Sequence, residues 1–122
     1  MNNKCFIGIA PSSTLPFTRR GVIASQDIAV SSVITADPVL LIPNETPLPA
    51  LLDQYVFQWS EMNVALVLGY GSIFNHSSHA NVVFTRFHAA QEMHFICCKP
   101  VKAREELTIA AGERPLPAGD KP

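Results

Sequence analysis

Ten prolines fall along the 122 residues, from Pro11 to Pro122. Each lacks a backbone donor, and its ring clashes with the preceding helical turn, so few stretches can hold a long helix. Strands and loops are predicted to dominate, with one or two short helices. Cys5 to Ala10 reads as a first strand, since its apolar stretch is too short for a signal-peptide core. Gly21 to Ile28 (GVIASQDI) and Ser32 to Ile42 (SVITADPVLLI) are rich in Val and Ile and read as short strands, the second broken near Pro38. After the turn cluster Pro43 to Pro49, the segment Ala50 to Ser60 carries Leu51, Leu52, Tyr55, Val56 and Trp59 at helical spacings. It is the best helix candidate in the chain. Trp59 and Phe57 near its end read as core. Met62 to Leu68 fits either a helical turn or a buried strand and is ended by Gly69 and Gly71.

Val82 to His88 and Met93 to Lys99 flank the short linker AAQE and read as a β-hairpin. Alternation puts Arg86 and His88 on one face, expected to be the outward one, and Thr85 and Phe87 on the other. Val101 to Glu106 is expected to be a charged turn, with Glu105 and Glu106 solvated, and Leu107 to Ile109 a last strand. The whole reads as one domain over 1–112, followed by a flexible Pro/Gly-containing tail over 113–122. With 48% hydrophobic and 16% charged residues the chain should be globular. Nine basic against ten acidic residues, and a pI near 6.4, leave no overall electrostatic footprint for nucleic acid or an anionic membrane. The longest apolar run, around Val64 to Leu68, falls far short of the roughly 20 residues of a membrane-spanning helix. Cys5, Cys97 and Cys98 are an odd set without disulfide spacing and point to reduced thiols in a cytoplasm. On a strand, Cys97 and Cys98 would face opposite sides of the sheet.

Between two apolar stretches lies the densest polar cluster: Asn75, His76, Ser77, Ser78, His79 and Asn81. Such a segment can be a turn satisfying its own backbone, a metal loop, or a ligand-binding loop threaded into the core. His76 and His79, with His88, His94, Cys97 and Cys98, match no paired Cys-x-x-Cys zinc spacing, so no metal is predicted. No Gly-x-Ser-x-Gly elbow is present, and Gly69 to Gly71 is not a phosphate-binding loop, which argues against a hydrolase and against nucleotide triphosphate chemistry.

The segment Gly69 to Val82 (GYGSIFNHSSHANV) resembles the signature of SET-domain protein lysine methyltransferases, an apolar stretch, Asn-His-Ser, a spacer, then Asn and an apolar residue. Phe74-Asn75-His76-Ser77 and Asn81-Val82 carry the match. Arg20-Gly21-Val22-Ile23-Ala24 is similar to the family's first glycine motif, Leu51 to Ser60 to the helix of its variable middle, and Glu105-Glu106-Leu107-Thr108-Ile109 to its glutamate-rich turn and strand. These follow the family's order from Arg19 to Gly112, and the size is similar to minimal viral and bacterial members without flanking zinc regions. The resemblance implies a mostly β, SET-like β-clip fold of small sheets with a C-terminal pseudoknot. It also implies S-adenosyl-L-methionine as cofactor, held by Arg20, Gly21 and Val22 and contacted by Asn75 and His76. A glycine would admit the ligand close to backbone, and an Asn amide offers a donor and an acceptor to an amino-acid group.

What the resemblance implies for activity is methylation of a lysine in a protein or peptide, with histones as a family-level expectation. A homodimer would complete the lysine channel, and the location would be cytoplasmic, or a host nucleus if histones are the target. Neither nucleic acid nor membrane is expected to bind directly. The sequence departs from the family at its C-terminal tyrosine, where Ala111 stands, and no aromatic residue follows Phe95. Loss of a positioned hydroxyl costs roughly 100- to 10,000-fold in rate. Tyr70 can supply a substitute phenol or can simply pack its ring. The readings at this point are a weakened enzyme, a non-catalytic module binding cofactor or peptide, and a structural homologue.

Overall fold

The computed structural model describes residues 7–11 and 20–110. Strand β1 (Ile7–Pro11) pairs antiparallel with β2 (Arg20–Ala24), and β2 pairs with β9 (Glu106–Ile109). On the far side of β9 lies the two-residue β6 (Asn75–His76), parallel to it, with Asn75 opposite Thr108 and His76 opposite Ile109. These four strands form one sheet in the order β1-β2-β9-β6. The second sheet runs β4-β5-β3-β8-β7, from β3 (Val33–Pro43), β4 (Val56–Gln58), β5 (Asn63–Val67), β7 (Val82–Phe87) and β8 (Glu92–Cys97). The hairpin of β7 and β8 forms as its alternation predicts, in register from Val82 opposite Cys97 to Phe87 opposite Glu92. The ambiguous segment after Met62 is strand β5, because its Val and Leu residues have β3 on one side and β4 on the other.

Several expectations are corrected. The helix expected over Ala50 to Ser60 is a single turn, α1 (Ala50–Asp53), after which Val56, Phe57 and Gln58 form β4 against β5. Helical periodicity there is accidental: Leu51 is 69% exposed, while strand geometry buries Val56 and Phe57. Pro38 does not break β3. Pairing with β8 ends at Pro38 and pairing with β5 begins at Val39, so the missing N–H falls where the strand changes neighbours. β2 ends at Ala24 rather than Ile28, and Ile28 meets Val101 in an isolated bridge.

The facing of β7 is the reverse of the expectation. Val82 is buried and Phe84 and Arg86 half-buried, while Val83, Thr85 and Phe87 are exposed. The five-stranded sheet curls so that its two edges meet, which draws Arg86 and His88 inward. Arg86 Nε donates to Gln58 O at 2.8 Å, its guanidinium lies 5.2 Å from the Phe84 ring centre, and His88 packs on Trp59 with ring centres 4.6 Å apart. Inside the curl, Phe95 is fully buried, with Phe57, Phe74 and Phe84 at 6.1, 5.1 and 5.9 Å. Trp59 and Phe57 are core, as expected. Cys97 is buried and Cys98 exposed, as opposite faces of a strand require. The tail and Cys5 lie outside the described residues.

Candidate functional site

From the edge of the four-stranded sheet, one side-chain amide joins three strands. Asn75 Nδ2, on β6, donates to Arg20 O on β2 at 2.9 Å and to Glu106 Oε2 on β9 at 2.8 Å. Both hydrogens of that amide are thereby committed, and its oxygen is the group with acceptor capacity to offer. Glu106, expected to be solvated, is 6% exposed and belongs to β9. A carboxylate so placed is costly without partners, and the Asn75 amide is one it has. Gly21 completes this node. A Cβ at Gly21 would run into the Glu106 carboxylate and come within 2.9 Å of Asn75 Nδ2. The Asn75–Glu106 contact by itself thus requires a glycine at this position. Val22 is fully buried and anchors β2 in the core, while Arg20 keeps an exposed side chain.

The polar cluster is a loop that grips β9 at both ends. Its N-terminal end is β6, and Ser77 N–H donates to Ile109 O at 2.9 Å. At the other end, Asn81 N–H donates to Thr108 O at 3.2 Å, Asn81 Oδ1 accepts from Thr108 N–H at 2.8 Å, and Asn81 Nδ2 donates to Glu106 O at 3.0 Å. The side chain of Asn81 thus does the work of a strand residue along an edge that would otherwise be short of partners. Its carbonyl accepts from Cys98 N–H at 2.9 Å, tying the loop to the hairpin. Between the two grips, Ser77 Oγ accepts from His79 N–H and Ser78 Oγ meets His79 Nδ1. His76 and His79 are exposed. The alternatives for this segment therefore resolve into a threaded loop that also satisfies its own backbone.

A second polar element was not legible as part of the site. Asp37, on the core-facing side of β3 opposite Met93, is 6% exposed. Its carboxylate accepts from Thr35 Oγ1 at 2.6 Å and from Gly71 N–H at 2.8 Å. Gly71 lies in the 3-10 turn Tyr70–Ser72, shortly before the Asn-His-Ser segment. The signal available in the sequence was alternation, since Thr35, Asp37, Val39 and Leu41 share one face of a strand. Tyr70 opens that turn and is half-buried, packed against the apolar core. Ala111 lies outside the described residues.

Among the described residues no cluster of three or more His, Cys, Asp or Glu side chains could hold a metal ion. Burial, and secondarily the neighbouring Cys98, pushes the Cys97 thiol above its ordinary range.

This arrangement of curled sheets with an Asn-His strand laid beside the last strand has relatives. A family model for the SET domain matches residues 19–110, which span every strand from β2 to β9. The H3 lysine-37 specific histone-lysine N-methyltransferase of Schizosaccharomyces pombe is 33% identical over 98 residues, covering 77% of this chain and 67% of that protein. A crystal structure of a Plasmodium falciparum protein assigned as a histone methyltransferase superposes with a TM-score of 0.73 at 26% identity, covering 89% of this chain and 95% of that one. The chain belongs to the SET-domain family, and its mostly β fold is the one the sequence resemblance implied.

Proposed function

We propose that this protein is an S-adenosyl-L-methionine-dependent protein-lysine N-methyltransferase acting on a histone or histone-like protein. The reading is carried by one observation: the Gly21, Asn75 and Glu106 node unites the family's glycine motif, Asn-His-Ser motif and C-terminal strand. Both relatives described above are named for histone methylation. The donor set suits the amino-acid end of the cofactor. Asn75 Oδ1 is an acceptor for an ammonium, and the exposed Arg20 guanidinium suits a carboxylate. His76, exposed beside Asn75, would line the same edge, while Gly21 and Val22 supply backbone. When bound, S-adenosyl-L-methionine supplies an electrophilic methyl group on a sulfonium.

The chain's own task is then mainly alignment and exclusion of water, because in-line displacement by a neutral amine needs little further chemistry from the protein. The lysine must lose its proton before attack. The Asn75 bridge ties β6 to β2 and to β9, which lies between them, so the groups that would hold the cofactor cannot drift apart. In this reading the phenol lost at Ala111 weakens turnover, and Tyr70 is the phenol nearest in sequence to the Asn-His-Ser segment. The absence of that phenol also favours a second reading, a non-catalytic module that keeps the cofactor or peptide site. A homodimer and a cytoplasmic or nuclear location belong to the proposal as well.

Calorimetric titration with S-adenosyl-L-methionine tests it. Micromolar binding that Asn75→Ala weakens by about tenfold or more, a loss near 1.4 kcal/mol, is expected, followed by methyl transfer to histone H3. Binding without transfer would favour the module, and absence of binding by the folded protein would overturn the enzyme and leave only a peptide-binding module. Tyr70→Phe with unchanged transfer would leave Tyr70 a packing residue only.

A further inference from the structure

Resting on the cofactor-site reading above, we propose that Asp37 is a positioning residue for the segment that delivers Asn75 and His76. It touches neither motif residue and acts through the turn before them. A carboxylate on the core-facing side of a strand, among Met93, Phe95 and Val39, is expensive to bury, and an apolar residue would satisfy that face without the expense. What the carboxylate does there is specific. Oδ1 is held by the Thr35 hydroxyl, and Oδ2 receives the Gly71 N–H.

The turn has been shaped around it. A Cβ on Gly69 would lie 2.6 Å from both Asp37 Cγ and Oδ1, and one on Gly71 would enter the Phe95 ring and approach Asp37 Oδ2 to 2.9 Å. Gly69 has extended backbone, so its lack of a side chain serves the approach of Asp37 and not a special conformation. Three residues after Gly71, Phe74 is buried with its ring centre 5.1 Å from that of Phe95. The segment from Gly69 to Phe74 is thus clamped twice against β3 and β8, by a charged acceptor and by an aromatic pair. Asn75 follows immediately, and its amide must reach Arg20 O and Glu106 together. An error in the turn would pass directly into that reach.

Three proteins test the assignment: Asp37→Ala, Asp37→Asn and, as a core control remote in sequence from the turn, Val101→Ala. Asn keeps an acceptor for Gly71 N–H and can donate to Thr35 Oγ1 in a reversed bond. Hydrogen exchange and cofactor titration are read together with thermal stability. Asp37→Ala should speed exchange of the amides over 70–76 by about tenfold relative to those over 82–97, and should weaken cofactor affinity by about tenfold. Asp37→Asn should restore both to within about threefold of the parent, and Val101→Ala should lower stability without altering the exchange ratio.

Equal effects of Asp37→Ala and Val101→Ala on the exchange ratio and on affinity would overturn the proposal, as would unchanged exchange over 70–76. Should Asp37→Ala not fold, Thr35→Val takes its place, because it releases the carboxylate without deleting it, and the same two outcomes decide. If the parent protein binds no cofactor, the methyltransferase reading fails, while the exchange ratio alone still judges Asp37.

Discussion

The two sheets of this molecule are held together by different chemistry. The five-stranded sheet closes on itself through ring contacts, with Phe95 surrounded by Phe57, Phe74 and Phe84, and with Arg86 and His88 latching its edges. The four-stranded sheet is closed by amides, with Asn75 and Asn81 bridging to Glu106 and Thr108. Apolar packing is tolerant of direction, whereas a hydrogen bond has partners and angles. The five-stranded sheet can therefore serve as scaffold while the four-stranded one fixes the atoms of the proposed site.

The largest test of this contrast is Phe95→Ala. Removing the ring at the hub should cost about 3–5 kcal/mol, read from the denaturant midpoint. Next, Asn81→Ala leaves the Thr108 N–H and the Glu106 carbonyl without that partner, at about 1–3 kcal/mol for each group that stays dry. It should weaken cofactor binding more than an equally destabilising core change does, and equal weakening would erase the contrast. Gly21→Ala, which forces a methyl into the Asn75–Glu106 contact, should cost about 1–3 kcal/mol by crowding and reduce affinity in titration. Arg86→Ala should remove about 1–2 kcal/mol of stability with cofactor affinity retained.

The smallest effect concerns Cys97. Its thiol is raised by burial, so the folded state keeps a proton that the unfolded chain releases. That contribution is complete below the unfolded thiol value of about 8.5 and is lost as pH rises toward the higher folded value. Cys97→Ala should flatten the alkaline fall in stability, and in the parent protein mass-spectrometric alkylation should label exposed Cys98 well before Cys97.

How much of this was legible in the sequence follows the same division. The hairpin could be read because Val82 to Cys97 alternates around a short linker, and local pattern is all a hairpin needs. Its facing could not, because Arg86 and His88 point inward only once the sheet has curled and brought β4 beside them. The helix expected over Ala50 to Ser60 failed because the spacing of Leu52, Tyr55, Val56 and Trp59 fits a helix while the pairing of β4 with β5 decides the matter. In the site, Gly21 and Asn75 were found through motif resemblance, and their mutual contact was not. Glu106 looked like half of a solvated acidic pair, and Asp37 fell without a role of its own in a strand expected to break near Pro38. Both are buried through partners distant in sequence, Asn75 in one case and Gly71 in the other. No local pattern carries that information.

The parallel pairing of β6 with β9 also sets an order of events in time. Residues 75 and 108 pair across the hairpin that lies between them in sequence, and closing so long a loop should be slow relative to local pairing. Asn75 has no Glu106 to hold until the last described strand exists. In refolding, the ring-packed scaffold can assemble before the strand ending at Ile109 docks against β6. The protein should therefore acquire its shape before it acquires its site, with a late kinetic phase in which binding competence appears after most of the β structure has formed.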